Sequence, residues 1–158
     1  MHTSYNLMSA LSLTVSKTAA ETEGFDDEFC PEMRPADPRF GDYQANGILP
    51  FAKRRGLNPR EMAGRLMEPL MEDDSFEVDV AGPGFLNFRF TPAFRLAWLK
   101  RFSTSELLRE AVLSDENPNR VVVDFSSPNT AKQMHVGHIR STIIGDVLAR
   151  ILAYGGSE

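Results

Sequence analysis

Two neighbouring stretches constrain this chain most. Phe76-Glu77-Val78-Asp79-Val80 alternates apolar and acidic residues, and after Gly82-Pro83-Gly84 the run from Phe85 to Phe90 alternates again. Successive side chains of a strand point to opposite faces, so this period suits a half-buried strand. Leu86, Phe88 and Phe90 fall on one face; Phe85, Asn87 and Arg89 fall on the other. The glycine-rich turn between the runs predicts two antiparallel strands. A sheet with one apolar face must bury it against another layer.

The flanking sequence supplies that layer as helices. Leu7, Leu11 and Val15 stand four apart and predict a helix over 7–20. Ile48, Phe51 and Ala52 predict a short helix over 47–55, ended at Gly56. Asn58-Pro59-Arg60-Glu61 reads as a helix start, with Asn58 as cap, Pro59 in the first helical position and Glu61 at capping-box spacing. Met62, Leu66 and Leu70 follow as a core stripe. Thr91-Pro92 starts another helix, with Phe94, Trp98 and Phe102 at spacing four, and a short one is expected over Ser105 to Val112. Residues 21–40 hold acids and prolines without periodicity and read as a loop. Residues 1–115 are thus expected to form an α+β domain, helices packed on a small antiparallel sheet. The eleven Phe are consistent with a real core.

The character changes after a polar stretch at 115–119. Arg120 to Phe125 is short, apolar and β-branched, as in a strand covered on both faces. A polar loop over 126–134 precedes a helical pattern with Ile139, Ile143, Val147 and Ile151 four apart, running to Tyr154. Residues 120–158 therefore read as a truncated Rossmann-like α/β start of one strand and one helix. One strand and one helix cannot make a parallel sheet, so this part is expected to be an appendage, docked imperfectly, mobile or stabilised by another chain. Its Ile143 and Val147 side is expected to be exposed unless it folds against the first domain.

The loop and helix start carry the chemistry. A helix N-terminus after such a strand presents free N–H groups and the positive dipole end, which favour phosphate. His135 and His138 sit at this entrance, Gly137 between them leaves room for a flat base, and Lys132 adds a mobile cation. Ser126, Ser127 and Asn129 are short polar groups suited to an amino or carboxylate group, and Asp124 could hold a cation. The same residues admit plainer roles: Ser127 and Asn129 can shape a turn around Pro128, Asp124 can be an ordinary strand-end acid, and a histidine can be a cap. The two histidines do not make a convincing metal site, because a helical pair is usually four apart and no third ligand is evident.

Net charge is −5, against bulk attraction to nucleic acid, but 53–65 is locally basic through Lys53, Arg54, Arg55, Arg60 and Arg65. That stretch reads either as a phosphate-facing patch or as a solvated helix face. The single cysteine, Cys30, excludes an internal disulfide. The N-terminal apolar residues are interrupted by Ser, Thr and Lys and lack a basic leader, and no stretch is long enough to span a membrane.

The string "VVVDFSSPNTAKQMHVGHIRSTIIGD" resembles the signature region of arginyl-tRNA synthetases, a class I family. "HVGH" stands where that class carries His-x-Gly-His. Upstream, "FGDYQANG", "NPREMA" and "AGPGFLNFRFTPAF" resemble that family's amino-terminal additional domain, in the same order, so the resemblance spans roughly residues 40–155. The resemblance implies ATP-dependent attachment of arginine to its tRNA. It implies that the motif runs Pro128, Asn129, Thr130, Ala131, Lys132, Gln133, Met134, His135, Val136, Gly137, His138. His135 and His138 would then be catalytic, stabilising charge on the α-phosphate; Lys132 and Gly137 would join them in binding ATP. Ser127, Asn129 and Asp124 would bind arginine. Phe85 would stack on an unpaired tRNA base while Asn87 bonds its edge, although Phe85 also reads as a core residue; the "GDYQ" segment reads as mainly structural.

The resemblance further implies ATP as substrate with magnesium, no prosthetic group, no membrane partner, and a cytoplasmic setting. The family's second signature loop and anticodon-binding domain are not in this sequence. The isolated chain is therefore expected to be inactive, as an amino-terminal fragment, with a stand-alone tRNA-binding module or one part of a split synthetase as alternatives.

Overall fold

The computed structural model describes residues 4–112, 120–126, 128–129 and 131–157. The chain divides into two compact units, Met1–Arg101 and Phe102–Glu158. The expected linker at 115–119, together with Ser127 and Thr130, lies outside the described residues.

The first unit runs α1 (Leu7–Glu21), β1 (Met33–Pro35), β2 (Tyr43–Ala45), α2 (Ile48–Arg55), α3 (Pro59–Leu70), β3 (Phe76–Ala81), β4 (Phe85–Phe90) and α4 (Pro92–Arg101). Its four strands form one antiparallel sheet in the order β1-β2-β4-β3. The expected pair is β3 and β4, in register from Phe76 opposite Phe90 to Ala81 opposite Phe85. Of the other two strands, β1 lies within the expected loop at 21–40, and β2 lies in a stretch for which no element was predicted. At three residues each they are too short to show a period. Pro35 is tolerated because β1 is an edge strand, where a missing N–H breaks no ladder.

The turn from β3 to β4 rests on the start of α3. Gly84 has a φ of +131°, and a Cβ there would lie 2.7 Å from the Pro59 carbonyl oxygen, so only glycine fits. Asn58 caps α3 as expected, its Oδ1 accepting from the N–H of Arg60 at 3.0 Å. Glu61 does not close a capping box back to Asn58; its carboxylate accepts from Arg65 one turn on, at 3.4 Å.

One apolar face of the sheet meets the helices. Ala45, Phe76, Leu86, Phe88 and Phe90 from the strands pack with Leu11 and Val15 of α1, Phe51 of α2, and Met62, Leu66 and Leu70 of α3. Full burial of one such side chain is worth roughly 1.5–3 kcal/mol. Of the residues on which the sequence predicts α1, Leu11 and Val15 are buried and Leu7 is half-buried, and the core stripe of α3 is buried throughout. The segment before β1 is pinned too: the Phe25 and Phe29 rings each lie 5.3 Å from that of Phe51.

The second unit holds α5 (Ser105–Val112) and α6 (Val136–Tyr154). Tyr154 donates its hydroxyl proton to the Ser105 carbonyl at 2.7 Å, tying the end of α6 to the start of α5. Arg120 to Phe125, expected as a strand, pairs with no strand among the described residues. It is held instead by packing, because Gly145, the buried residue of α6, leaves the space that Phe125 fills. Ile143 and Val147 are exposed, as expected, and so are Ile139, Ile144, Leu148 and Ile151.

Candidate functional site

The sheet face away from the helices carries a polar row. Residues opposite one another in antiparallel strands share a face. Arg34 is opposite Gln44, Gln44 is opposite Asn87, and Asn87 is opposite Asp79. One residue from each strand thus forms the line Arg34, Gln44, Asn87, Asp79. Gln44 Nε2 donates to Asn87 Oδ1 at 2.7 Å, and Asn87 Nδ2 donates to Asp79 Oδ2 at 3.3 Å. Asn87 is only 2% exposed, the one buried polar side chain among the described residues. Arg34 and Asp79, at the two ends, are exposed.

Beside this row lies a hollow of about 380 Å³ lined by Arg39, Phe40, Glu77, Asp79, Asn87 and Arg89. Arg89 donates to the Arg39 carbonyl at 3.4 Å, and the Arg39 guanidinium stands 5.5 Å from the Phe40 ring centre. Hydrogen bonds from the Arg39 side chain and N–H hold the Asp37 carboxyl below its ordinary range. Phe85, half-buried, shares this face two residues from Asn87 and is not part of the buried core.

The "GDYQ" segment splits between roles. The Asp42 carboxylate accepts from the Phe90 N–H at 2.8 Å and pairs with Arg95 at 2.8 Å, a structural link from sheet to α4. Gln44, two residues on, faces the open side instead. The basic stretch is also divided. Arg55 donates to Glu28 at 2.9 Å, pairs with Asp26, and lies 4.0 Å over the Phe51 ring, so it is committed to packing. Lys53, Arg54 and Arg60 remain exposed.

In the second unit the two histidines cap α6 reciprocally. His135 is the N-cap, and its Nδ1 accepts from the Gly137 N–H at 3.1 Å. His138 Nδ1 accepts from the His135 N–H at 3.2 Å, and the ring centres are 4.0 Å apart. A neutral imidazole that accepts at Nδ1 carries its proton on Nε2. Both rings therefore keep an Nε2–H donor that makes no hydrogen bond among the described residues, at the positive end of a 19-residue helix. The plain reading as caps and the reading as phosphate ligands are compatible, because they use different nitrogens. Gly137 serves the cap directly: a Cβ there would lie 2.9 Å from the His135 ring.

The loop before α6 shows turn chemistry. Asn129 Oδ1 accepts from the Ala131 N–H at 2.9 Å, and its carbonyl accepts from the Lys132 N–H at 3.2 Å. Asn129, Lys132, Gln133, Met134 and Val136 are exposed, Pro128 is half-buried, and Asp124 is exposed. Among the described residues no group of three or more His, Cys, Asp or Glu is placed to hold a metal ion, and no helix is long and apolar enough to cross a membrane. Reasoning from sequence did not single out Arg34, Gln44 or Asp79 as partners of Asn87. Their alignment depends on strand register, which three-residue strands do not announce.

Comparison with known proteins agrees with both units. Residues 6–90 match the family described as arginyl tRNA synthetase N terminal domain, and residues 104–158 match the class I (R) tRNA synthetase catalytic domain. An arginine–tRNA ligase of Picosynechococcus is 45% identical over 156 residues, covering 97% of this chain and 26% of that protein. One from Thermosynechococcus vestitus is 52% identical over 128 residues, covering 80% and 22%. The chain spans about a quarter of the length of the curated relatives it matches. Among solved structures, the Plasmodium falciparum arginyl-tRNA synthetase shares the fold at a TM-score of 0.73 and 23% identity, over 100% of this chain and 30% of its own. The Thermus thermophilus enzyme aligns at 0.53 and 29%, over 96% and 24%. By motif order, matched residues and identity, the chain belongs to the arginyl-tRNA synthetase family.

Proposed function

We propose that this chain supplies the tRNA-contacting amino-terminal unit, and the first wall of the arginine and ATP site, of a cytoplasmic arginine–tRNA ligase. The observation that carries this reading is the pair of Nε2–H groups at the start of α6, already held in place by the Nδ1 caps. In the reaction an oxygen of the arginine carboxylate attacks the α-phosphorus of ATP, the bond to the β-phosphate oxygen breaks, and pyrophosphate leaves. Negative charge grows on the α-phosphate oxygens, where His135 and His138 would donate, with Lys132 nearby. That is electrostatic stabilisation by preorganised donors; losing one such donor typically costs about 100–1,000-fold in rate. Asn129, Ser127 and Asp124 would hold the arginine. Magnesium, implied for the family, finds no three-ligand cluster among the described residues and would arrive with ATP as part of the substrate.

The first unit would meet tRNA through the open sheet face. Phe85 offers a ring on which an unpaired base can stack, and Arg34, Arg39 and Arg89 offer cations to nearby phosphates.

Two measurements on this polypeptide test the reading. Binding of a transcribed arginine tRNA should weaken steeply with salt and drop on Phe85→Ala, while the polypeptide alone should not charge the tRNA. Millimolar ATP should shift the imidazole resonances of both His135 and His138. Binding unaffected by Phe85→Ala sinks the tRNA assignment, unmoved imidazole signals sink the ATP assignment, and charging by the polypeptide alone refutes its having only part of the site.

A further inference from the structure

A hollow of about 410 Å³ lies between α1 and the segment that leads into β1, and three sulfur-bearing residues line it: Met8 of α1, Cys30, and Met33 of β1. The backbone brings the last two together. In an extended chain, residues three apart point to opposite faces. Glu32, between Cys30 and Met33, has a φ of +48°, a left-handed conformation uncommon outside glycine. It breaks the alternation, and both side chains line the one hollow. Such a conformation persists where its surroundings hold it, and here they do. The Gly47 N–H donates to the Pro31 carbonyl at 2.9 Å, and the Asn46 N–H donates to the Glu32 carbonyl at 3.4 Å. A side chain at residue 47 would overlap the Cys30 carbonyl, so glycine is required there. Met8 is fixed from the other wall, because Leu11 and Val15 anchor α1 in the core.

We propose that Met8, Cys30 and Met33 form a binding site for one soft monovalent metal ion, Cu(I). The ligand chemistry selects it. Thioethers are neutral, polarisable donors suited to Cu(I), and a single thiolate matches its single charge. Zn(II) takes four nitrogen, oxygen or thiolate ligands, whereas this hollow offers one thiolate and the one carboxylate of Glu32. Cys30 is exposed, so the ion can reach it from solvent. Binding replaces the thiol proton, which leaves to water. Met8 and Met33 are half-buried and unbranched, so their sulfurs can turn toward the ion while the backbone stays in place. The site uses none of the residues assigned to arginine, ATP or tRNA.

The test titrates the whole chain with Cu(I), kept reduced by ascorbate in the absence of oxygen, against a chromophoric Cu(I) chelator. One ion should bind per chain and raise the melting temperature. The methyl resonances of Met8 and Met33 should shift together, with those of the other methionines unmoved. Met8→Leu and Met33→Leu keep the apolar volume, so the metal-free melting temperature should hold. Each should weaken Cu(I) binding by at least about tenfold, the loss that even an outer partner of a metal site typically produces. Cys30→Ser should abolish binding at this site. If Cys30→Ser removes the ion while both leucine variants bind as the wild type does, the thiol acts alone and the proposal fails. It fails equally if no ion binds, if bound copper leaves either methyl signal in place, or if equimolar Zn(II) displaces it. Should a leucine variant lose its fold, the methyl shifts of the wild type still decide.

Discussion

A Cβ on Gly145 would lie 2.2 Å from the Cβ of Phe125. The helix gives up a side chain there so that a segment without sheet partners can lie against it. Gly145→Ala should therefore expel Phe125 despite the better helix propensity of alanine. Overpacking of this kind costs about 1–3 kcal/mol. Limited proteolysis should show several-fold faster cleavage at Arg120, with α6 itself still helical by circular dichroism; unchanged cleavage would mean that the contact does not hold the segment.

Asn87→Ala should destabilise the first unit by about 1–3 kcal/mol, since it removes a buried amide with two partners. The urea midpoint should fall, and it should fall less for Gln44→Ala, whose side chain is half-buried. An equal loss from both would contradict the central place of Asn87 in the row.

Much of this fold is legible in the sequence, for physical reasons. The alternation of Phe76 to Val80 and of Leu86 to Phe90 repeats often enough to fix both strands, and the Met62, Leu66, Leu70 stripe fixes α3. Tyr43–Ala45 and Met33–Pro35 are too short to repeat anything; the first pairs along β4 and the second along Tyr43–Ala45. Alternation also misleads at Asn87. It assigns the residue to the outer face correctly, but burial there comes from cross-strand neighbours that a single strand cannot reveal. At the helix start the His-x-x-His spacing announces a shared mouth, whereas the division of labour between Nδ1 and Nε2 needs coordinates.

Arg55→Ala should lower the urea midpoint at neutral pH by releasing the 22–32 segment from α2. Burial alone would raise the Asp26 carboxyl, but the Arg55 side chain and the Glu28 N–H, with the charges of Arg55 and Arg54, bring it below its ordinary value. A carboxyl lowered in the folded state contributes stability above its unfolded value and loses it as pH falls through the folded one. The wild type should thus lose this contribution below about pH 4, and Arg55→Ala should flatten that part of the pH–stability profile. A variant profile parallel to the wild type would exclude the pair as a source of acid sensitivity.

Gly137→Ala should push the His135 ring off its cap, because the new Cβ would lie 2.9 Å from it. The Gly137 position should then lose amide protection, with helix stability down by about 1 kcal/mol, as for loss of other N-caps. Exchange-detected NMR reads both. Retained protection would show that the ring tolerates the methyl group.

The polar row has a property that no single side chain determines. Its four members sit on four adjacent strands, so its length is three interstrand gaps, about 14 Å at the usual spacing. That pitch is set by backbone ladders and is indifferent to the identity of what is mounted on it. The face behaves as a ruler: the backbone sets where each mark stands, while the hydrogen bonds from Gln44 through Asn87 to Asp79 couple what three of the marks can do.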